Sequence, residues 1–233
     1  MLRGKKIIIV GGGSGIGLAV AQQATAAGAE VVIASRDLDK LKQAAEKIGK
    51  DVRFEQVDVC SEHSVTEFFH RVGEFDHLAA TIKPQLPSGK FLQNETEAAM
   101  AAFDAKFWGQ YRLLKHAVGQ VREGGSMVLT SGIAAARSYD GYSAVSAMNA
   151  ATEALVKAVA LELAPVRVNA VCPGFVDTTP PAAGSLQYVK NISPRLPLDR
   201  LGHADEIAEA YLYLFGNTYS TGTVVVVDGG AVC

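Results

Sequence analysis

Short β-branched runs alternate with longer helical patterns along the chain, and few architectures accommodate that rhythm. The strand-like runs are Lys6–Val10, Val31–Ser35, Val52–Val57, His77–Ala80, Ser126–Thr130, Val166–Val171 and Thr223–Val227. Helical patterns fall between them at about Gly15–Ala27, Leu38–Ile48, Glu62–Val72, Glu95–Val118, Tyr142–Leu163 and Ala204–Phe215. Most of the strand runs are continuously apolar, which is the pattern of strands covered on both faces. Alternation of this kind builds βαβ units and a doubly wound parallel sheet, an α/β fold of the Rossmann type. At 233 residues the chain is long enough for one such domain, and no linker or repeat divides 1–233. One long irregular stretch, at about 178–202 and containing Pro180, Pro181, Pro194 and Pro197, reads as a loop over a substrate site. A merely variable surface loop is the plainer alternative.

Composition excludes several other classes. With 22 Lys+Arg against 24 Asp+Glu the chain lacks the basic excess of a nucleic-acid or membrane-surface binder. No uninterrupted apolar run approaches the roughly 18–20 residues needed to cross a bilayer. The apolar part of the N-terminal segment, Ile7-Ile8-Ile9-Val10, is too short for a secretory signal before the glycines begin. Cys60, Cys172 and Cys233 show no paired spacing, so reduced thiols and a cytoplasmic location are expected.

Gly11-Gly12-Gly13-Ser14-Gly15-Ile16-Gly17 follows the first strand and opens a helix. Glycines there allow a tight turn and close approach to a pyrophosphate, and the helix N-terminus offers free N–H groups and a favourable dipole. The second strand ends Ala34-Ser35-Arg36. An acid in that region holds a ribose 2′-OH, whereas an arginine accommodates a 2′-phosphate, so Ser35 and Arg36 favour NADP(H) over NAD(H). A solvent-facing arginine is the bland alternative. Asp58-Val59 closes the third strand, where a short acid can meet adenine.

With Asp58-Val59, Thr130-Ser131, Tyr142, Arg167-Val168-Asn169, Pro173-Gly174 and Asp228-Gly229-Gly230 following that loop in order, the chain resembles a short-chain dehydrogenase/reductase over essentially its whole length. The resemblance implies a seven-stranded parallel sheet and interconversion of carbonyls and alcohols with NAD(P)(H). It implies that Ser131 polarises the carbonyl, that Tyr142 transfers the proton, and that Pro173, Gly174, Val176 and Thr178 border the nicotinamide. Two of the family's positions are altered. The lysine expected four residues after the tyrosine is Ser146, and the asparagine expected on the preceding long helix is Lys106.

The missing lysine matters energetically. Bringing a phenol from a pKa of about 10 to 7 takes roughly 4 kcal/mol. A cation about 4 Å away at an effective dielectric near 20 supplies about that much, and a hydroxyl does not. Lys106 is the favoured replacement and Lys83 the next. The alternatives are a Lys106 that snorkels from an exposed face and an activity weakened or lost.

His63, His70 and His77 lack metal-ligand spacing, so no metal is expected. The Tyr142–Leu163 pattern carries small or apolar residues nearly all round, which suits burial on two sides: one against the sheet, another against a second copy in a homodimer or homotetramer. The leading reading is an NADP(H)-dependent reductase of a small-molecule carbonyl with Tyr142 as acid/base. The alternative is a catalytically impaired nucleotide-binding sensor or partner subunit.

Overall fold

In a computed structural model of the chain, which describes residues 2–49, 52–86, 90–178 and 192–233, the expected strands assemble into one parallel sheet. They are β1 (Lys6–Val10), β2 (Glu30–Ser35), β3 (Arg53–Gln56), β4 (Phe75–Ala80), β5 (Val121–Thr130), β6 (Arg167–Pro173) and, last in the chain, β9 (Val224–Val227). The order across the sheet is β3-β2-β1-β4-β5-β6-β9, with β7 (Val176–Asp177) and β8 (Gly202–His203) forming a separate two-stranded ribbon. The strand order therefore reverses between β1 and β4, and the crevice beyond the strand C-termini at such a point is where doubly wound sheets bind ligands.

Side chains two apart on a strand share a face, and the central strands obey this on both sides. Ile7, Ile9 and Ile33 lie in one fully buried cluster with Ala19, Val20, Ile207 and Tyr211. Ile8, Val10 and Val32 lie in the other with Phe68, Phe69, Leu113 and Val156. The first cluster sits under α1 (Gly15–Ala26), α2 (Leu38–Ile48) and α7 (Ala204–Gly216). The second sits under α3 (Glu62–Val72), α5 (Gly109–Ala117) and α6 (Ser143–Glu162).

Three features position the site. The long helix expected over 95–118 is interrupted: α4 (Thr96–Phe103) runs into a π-helical turn at Asp104–Trp108 before α5 begins. Such turns insert a residue into the helical ladder and re-aim a side chain, often at a functional site. Gly109 closes the turn against the third strand's extension, where a Cβ would come within 2.8 Å of Val59 Cγ2. Val59 is itself buried, and its carbonyl accepts from Arg112 at 3.1 Å. Second, the end of β5 is clamped by the buried Gln110, whose Oε1 accepts from Thr130 N at 2.8 Å and whose Nε2 donates to Thr130 O at 3.3 Å. Third, α6 lies against β5 and β6. It is the one helix among the described residues long and apolar enough to span a bilayer, and Val145, Met148, Thr152, Val156 and Ala160 are buried in the fold.

Of the expected 178–202 loop, 179–191 falls outside the described residues. Its base is described: β7 pairs with β8 through Val176↔Gly202 and Asp177↔His203, bringing the two ends of the segment together. His77 is a core residue, with Nδ1 2.9 Å from Ser126 Oγ and its ring stacked on Phe215. Burial pushes its imidazole down to about 4. Among the described residues no group of His, Cys, Asp and Glu could hold a metal ion.

Candidate active site

The turn between β1 and α1 has room only for glycine at three points, one of them Gly12, where a Cβ would lie 2.8 Å from Ile33 Cβ. Gly11 has φ +90°, and a Cβ there would lie 2.5 Å from Thr81 O. At Gly17 a Cβ would lie 2.3 Å from Gly11 O and 2.4 Å from Thr81 Oγ1, so any side chain would push α1 off the turn. Gly15 (φ +52°) faces Thr178, whose Cβ is 3.2 Å from where a Cβ would sit, so the turn and the residue after β7 form opposite sides of one cradle. Ser14 precedes α1 in extended conformation without capping it through its side chain, and the helix has no acid in its first turn. Ile16 packs against the core. The N–H groups of the first turn therefore face the crevice with no internal anion competing for them.

At the end of β2, Ser35 Oγ accepts from Asp37 N at 3.3 Å, and Asp37 caps α2 by accepting from Lys40 N at 3.0 Å. Arg36 is exposed on the rim of an open cleft of ≈ 690 Å³ that Phe54, Gln56, Asp58 and Arg71 also line. Arg53 and Arg71 both bind Glu55 (2.7 and 3.0 Å), whereas Arg36 makes no ion pair among the described residues. Its guanidinium is the charge left for an outside anion. Asp58 Oδ1 accepts from Cys60 N at 3.1 Å.

The candidate site beyond β5 is assembled by side chains from four elements. The π-helical turn carries Lys106 inward: the residue is 9% exposed, and Nζ donates to Ser131 O at 2.9 Å. Lys106 does not snorkel to solvent. Burial lowers its ammonium to about 8, with the neighbouring Cys172 pulling the other way. Lys83, the other candidate, is exposed. Ser131, just past β5, donates its N–H to Val171 O at 3.0 Å, and its Oγ donates to Glu153 Oε1 at 2.8 Å. Cys172, near the end of β6, lies against the same Ser131–Glu153 pair, and burial pushes its thiol up to about 11, so it is neutral.

Tyr142 is the residue preceding α6, not part of its first turn; it is 36% exposed, and its ring meets that of Tyr139 at 6.1 Å. Its hydroxyl has no hydrogen-bond partner among the described residues. Ser146 Oγ and Asn149 Oδ1 are buried without partners. Pro173 ends β6, and Gly174 passes so close to Asp228 that a Cβ would come within 2.6 Å of its Cα. Val176 is half-buried in the ribbon beyond.

The structure thus brings Lys106 to Ser131, and Gly15 to Thr178. Sequence reasoning missed Glu153, Gln110 and Cys172. Glu153 had a readable signal: Tyr142, Ser146, Asn149 and Glu153 recur at 4, 3 and 4 residues and so share one helical face. Gln110 and Cys172 carry no such signal, since each is paired with its partner by tertiary packing.

The chain is similar to known proteins over nearly its whole length. A family model described as enoyl-(acyl carrier protein) reductase matches residues 11–232. The chain is 31% identical over 260 residues to a short-chain dehydrogenase/reductase of Stachybotrys chlorohalonatus, spanning 99% of this chain and 98% of that one. It is 32% identical over 236 residues to 3-oxoacyl-(acyl-carrier-protein) reductase of Homo sapiens, with 97% of each chain covered. Among solved structures, a small-chain dehydrogenase in complex with NADPH superposes with a TM-score of 0.82 at 34% identity, covering 98% of this chain and 99% of that chain.

Proposed function

The chain belongs to the short-chain dehydrogenase/reductase family, and from that premise we propose that it is an NADPH-dependent reductase of a small-molecule carbonyl, acting as a single dinucleotide-binding catalytic domain. The observation that carries the reading is the buried Lys106 ammonium at Ser131, which supplies a cation at the reacting end although Ser146 has none. The cradle fits the nucleotide. Gly11, Ser14, Gly15, Ile16 and Gly17 would hold the pyrophosphate, Ser35 and Arg36 the 2′-phosphate, Asp58 and Val59 the adenine side, and Pro173, Gly174, Val176 and Thr178 the nicotinamide side. When bound, NADPH supplies the hydride that reduces a carbonyl carbon.

The protein's own groups handle the oxygen. Tyr142 gives a proton to the developing alkoxide in reduction and takes it back in oxidation. Ser131 donates a hydrogen bond as charge builds on that oxygen. Lys106 is held in a low-dielectric site, where a positive charge favours phenolate over phenol. With its ammonium near 8 it is still mostly protonated at neutral pH.

Two further expectations accompany this reading. A homodimer or homotetramer is supported by the apolar residues left exposed on neighbouring helices, Met100, Trp108, Tyr111 and Leu161. Ala158→Glu, on the exposed side of α6, is then expected to lower the mass seen by light scattering. The free thiols of Cys60, Cys172 and Cys233 support a reducing, cytoplasmic setting.

A screen of aldehydes, ketones and quinones followed by NADPH absorbance tests the assignment. Turnover lost in Tyr142→Phe with NADPH binding retained is the expected result. A second reading, a nucleotide-binding subunit without turnover, is favoured by one observation: Ser131's donor is already engaged by Glu153. Tight NADPH binding with no turnover across the screen would establish it instead.

A further inference from the structure

A phenol that transfers a proton must be held closely, since a misplacement of about 1 Å can cost about a hundredfold in rate. Tyr142 has little of its own to hold it. It precedes α6, it is 36% exposed, and its hydroxyl has no partner among the described residues. A side chain so placed can swing between staggered rotamers about χ1. What restrains it is Tyr139, three residues earlier.

The two tyrosines are the first and last residues of one β-turn. Tyr142 N–H donates to Tyr139 O at 3.0 Å, and Gly141 between them has φ +80°, the left-handed value that a type II turn requires at its third residue. The closed turn sets the two rings edge to face, with centroids 6.1 Å apart at 66°. Tyr139 is itself held. Its ring meets Phe175 at 5.5 Å, the Arg137 guanidinium lies 6.0 Å over it, and Arg137 is tied down by donating to Ala231 O at 2.8 Å. It also packs against two buried clusters, one around Leu196 and Leu201, the other around Val145 and Met148. The Tyr139 hydroxyl is buried with no partner among the described residues. The ring therefore carries the contacts, and the hydroxyl adds no hydrogen bond.

We propose that Tyr139 is a positioning residue that holds the Tyr142 ring in one rotamer for proton transfer. This rests on the reductase reading above. An edge-to-face aromatic pair favours the rotamer that makes it by about two- to tenfold. Tyr139 also joins two parts of the site. Phe175 follows Pro173 and Gly174, and its carbonyl accepts from Gly202 N at 2.9 Å beside the β7–β8 ribbon. Tyr139 thus meets both the phenol assigned to proton transfer and the segment proposed for the nicotinamide side, and a single ring spaces the two.

Two measurements test this. Three-bond couplings from Tyr142 Cγ to its own amide nitrogen and carbonyl carbon report the χ1 rotamer. They are measured in protein carrying ¹³C,¹⁵N-tyrosine and assigned by their loss in Tyr142→Phe. Wild type should give the couplings of one rotamer, and Tyr139→Leu the averaged values of several. Tyr139→Phe keeps the ring and should restore the wild-type values. Gly141→Val, which strains the turn at its positive φ, should average them in a chain that keeps the Tyr139 ring, so the test survives a Tyr139→Leu that fails to fold. Single-rotamer couplings in a folded Tyr139→Leu overturn the proposal whatever the activity. The second measurement is the single-turnover rate of phenanthrenequinone reduction by bound NADPH. In Tyr139→Leu it should fall by the fraction of molecules that lose the wild-type rotamer, with the affinities for quinone and NADPH kept. An unchanged rate beside averaged couplings overturns the role in proton transfer. Failure of the reductase reading looks different: NADPH binds, no carbonyl turns over in wild type, and the couplings still average in Tyr139→Leu.

Discussion

Where β1 meets α1 the site is made of backbone, whereas beyond β5 it is made of side chains drawn from four separate elements. Gly11, Gly15 and Gly17 act by what they lack, leaving room for the approach of Thr81 and Thr178. Lys106, Ser131, Glu153 and Cys172 act by what they carry, and each is held by a partner far away in sequence. The first kind of site tolerates no added atom. The second depends on charge and hydrogen bonding, and it holds the Lys106 ammonium at the Ser131 carbonyl.

The contrast is broken most strongly at the backbone end. Gly11→Ala must adopt a positive φ and place a Cβ against Thr81 O. Left-handed strain of about 1–2 kcal/mol and overpacking of about 1–3 kcal/mol should together lower stability by about 4 kcal/mol in urea denaturation. NADPH binding should fall with it. Binding and stability left at wild-type levels would mean that the turn is not the rigid cradle described.

At the side-chain end the sign differs, because Lys106 is a charge that the fold disfavours. Its amine sits at about 8 in the folded chain against 10.5 in the open. Between those values the unfolded chain binds more protons than the folded one, so stability rises with pH through that window. The gain is about 3 kcal/mol at about 1.4 kcal/mol per unit. Lys106→Met should abolish this slope in denaturation curves taken from pH 7.5 to 10.5. It should also cut turnover strongly. A slope unchanged in the variant would show that the ammonium is solvated after all.

The smallest expected effect returns to the other end of the site, at Arg36 on the cleft rim. Arg36→Asp removes one charge-assisted contact and adds a repulsion, so NADPH binding should weaken about tenfold, about 1.4 kcal/mol, beyond any change for NADH. Calorimetric titration of both nucleotides reads this directly. Equal losses would leave Arg36 a rim residue and move the 2′-phosphate contact elsewhere.

The sequence by itself determined the parts of this protein that depend on neighbours along the chain. Continuous apolar runs specify strands covered on both faces, and the 3.6-residue pattern specifies the helices that cover them; α2 and α3 begin and end where the pattern does. The glycine turn was legible for the same reason, since positive φ and close approach are properties of one short segment. Tyr142 and Ser131 were legible as motif positions. The continuous helix expected over 95–118 was not what forms, because nothing local distinguishes a π-helical turn from the α-helix around it. That turn decides whether Lys106 faces solvent or the core, and only the packing of Gly109 on Val59 and of Gln110 on Thr130 settles it. The Ser131–Glu153 bond joins residues 22 apart whose meeting depends on how α6 lies across β5 and β6. Burial and hydrogen-bond partnership are relations between distant segments, so they came into existence only when the sheet was closed and its helices were laid down.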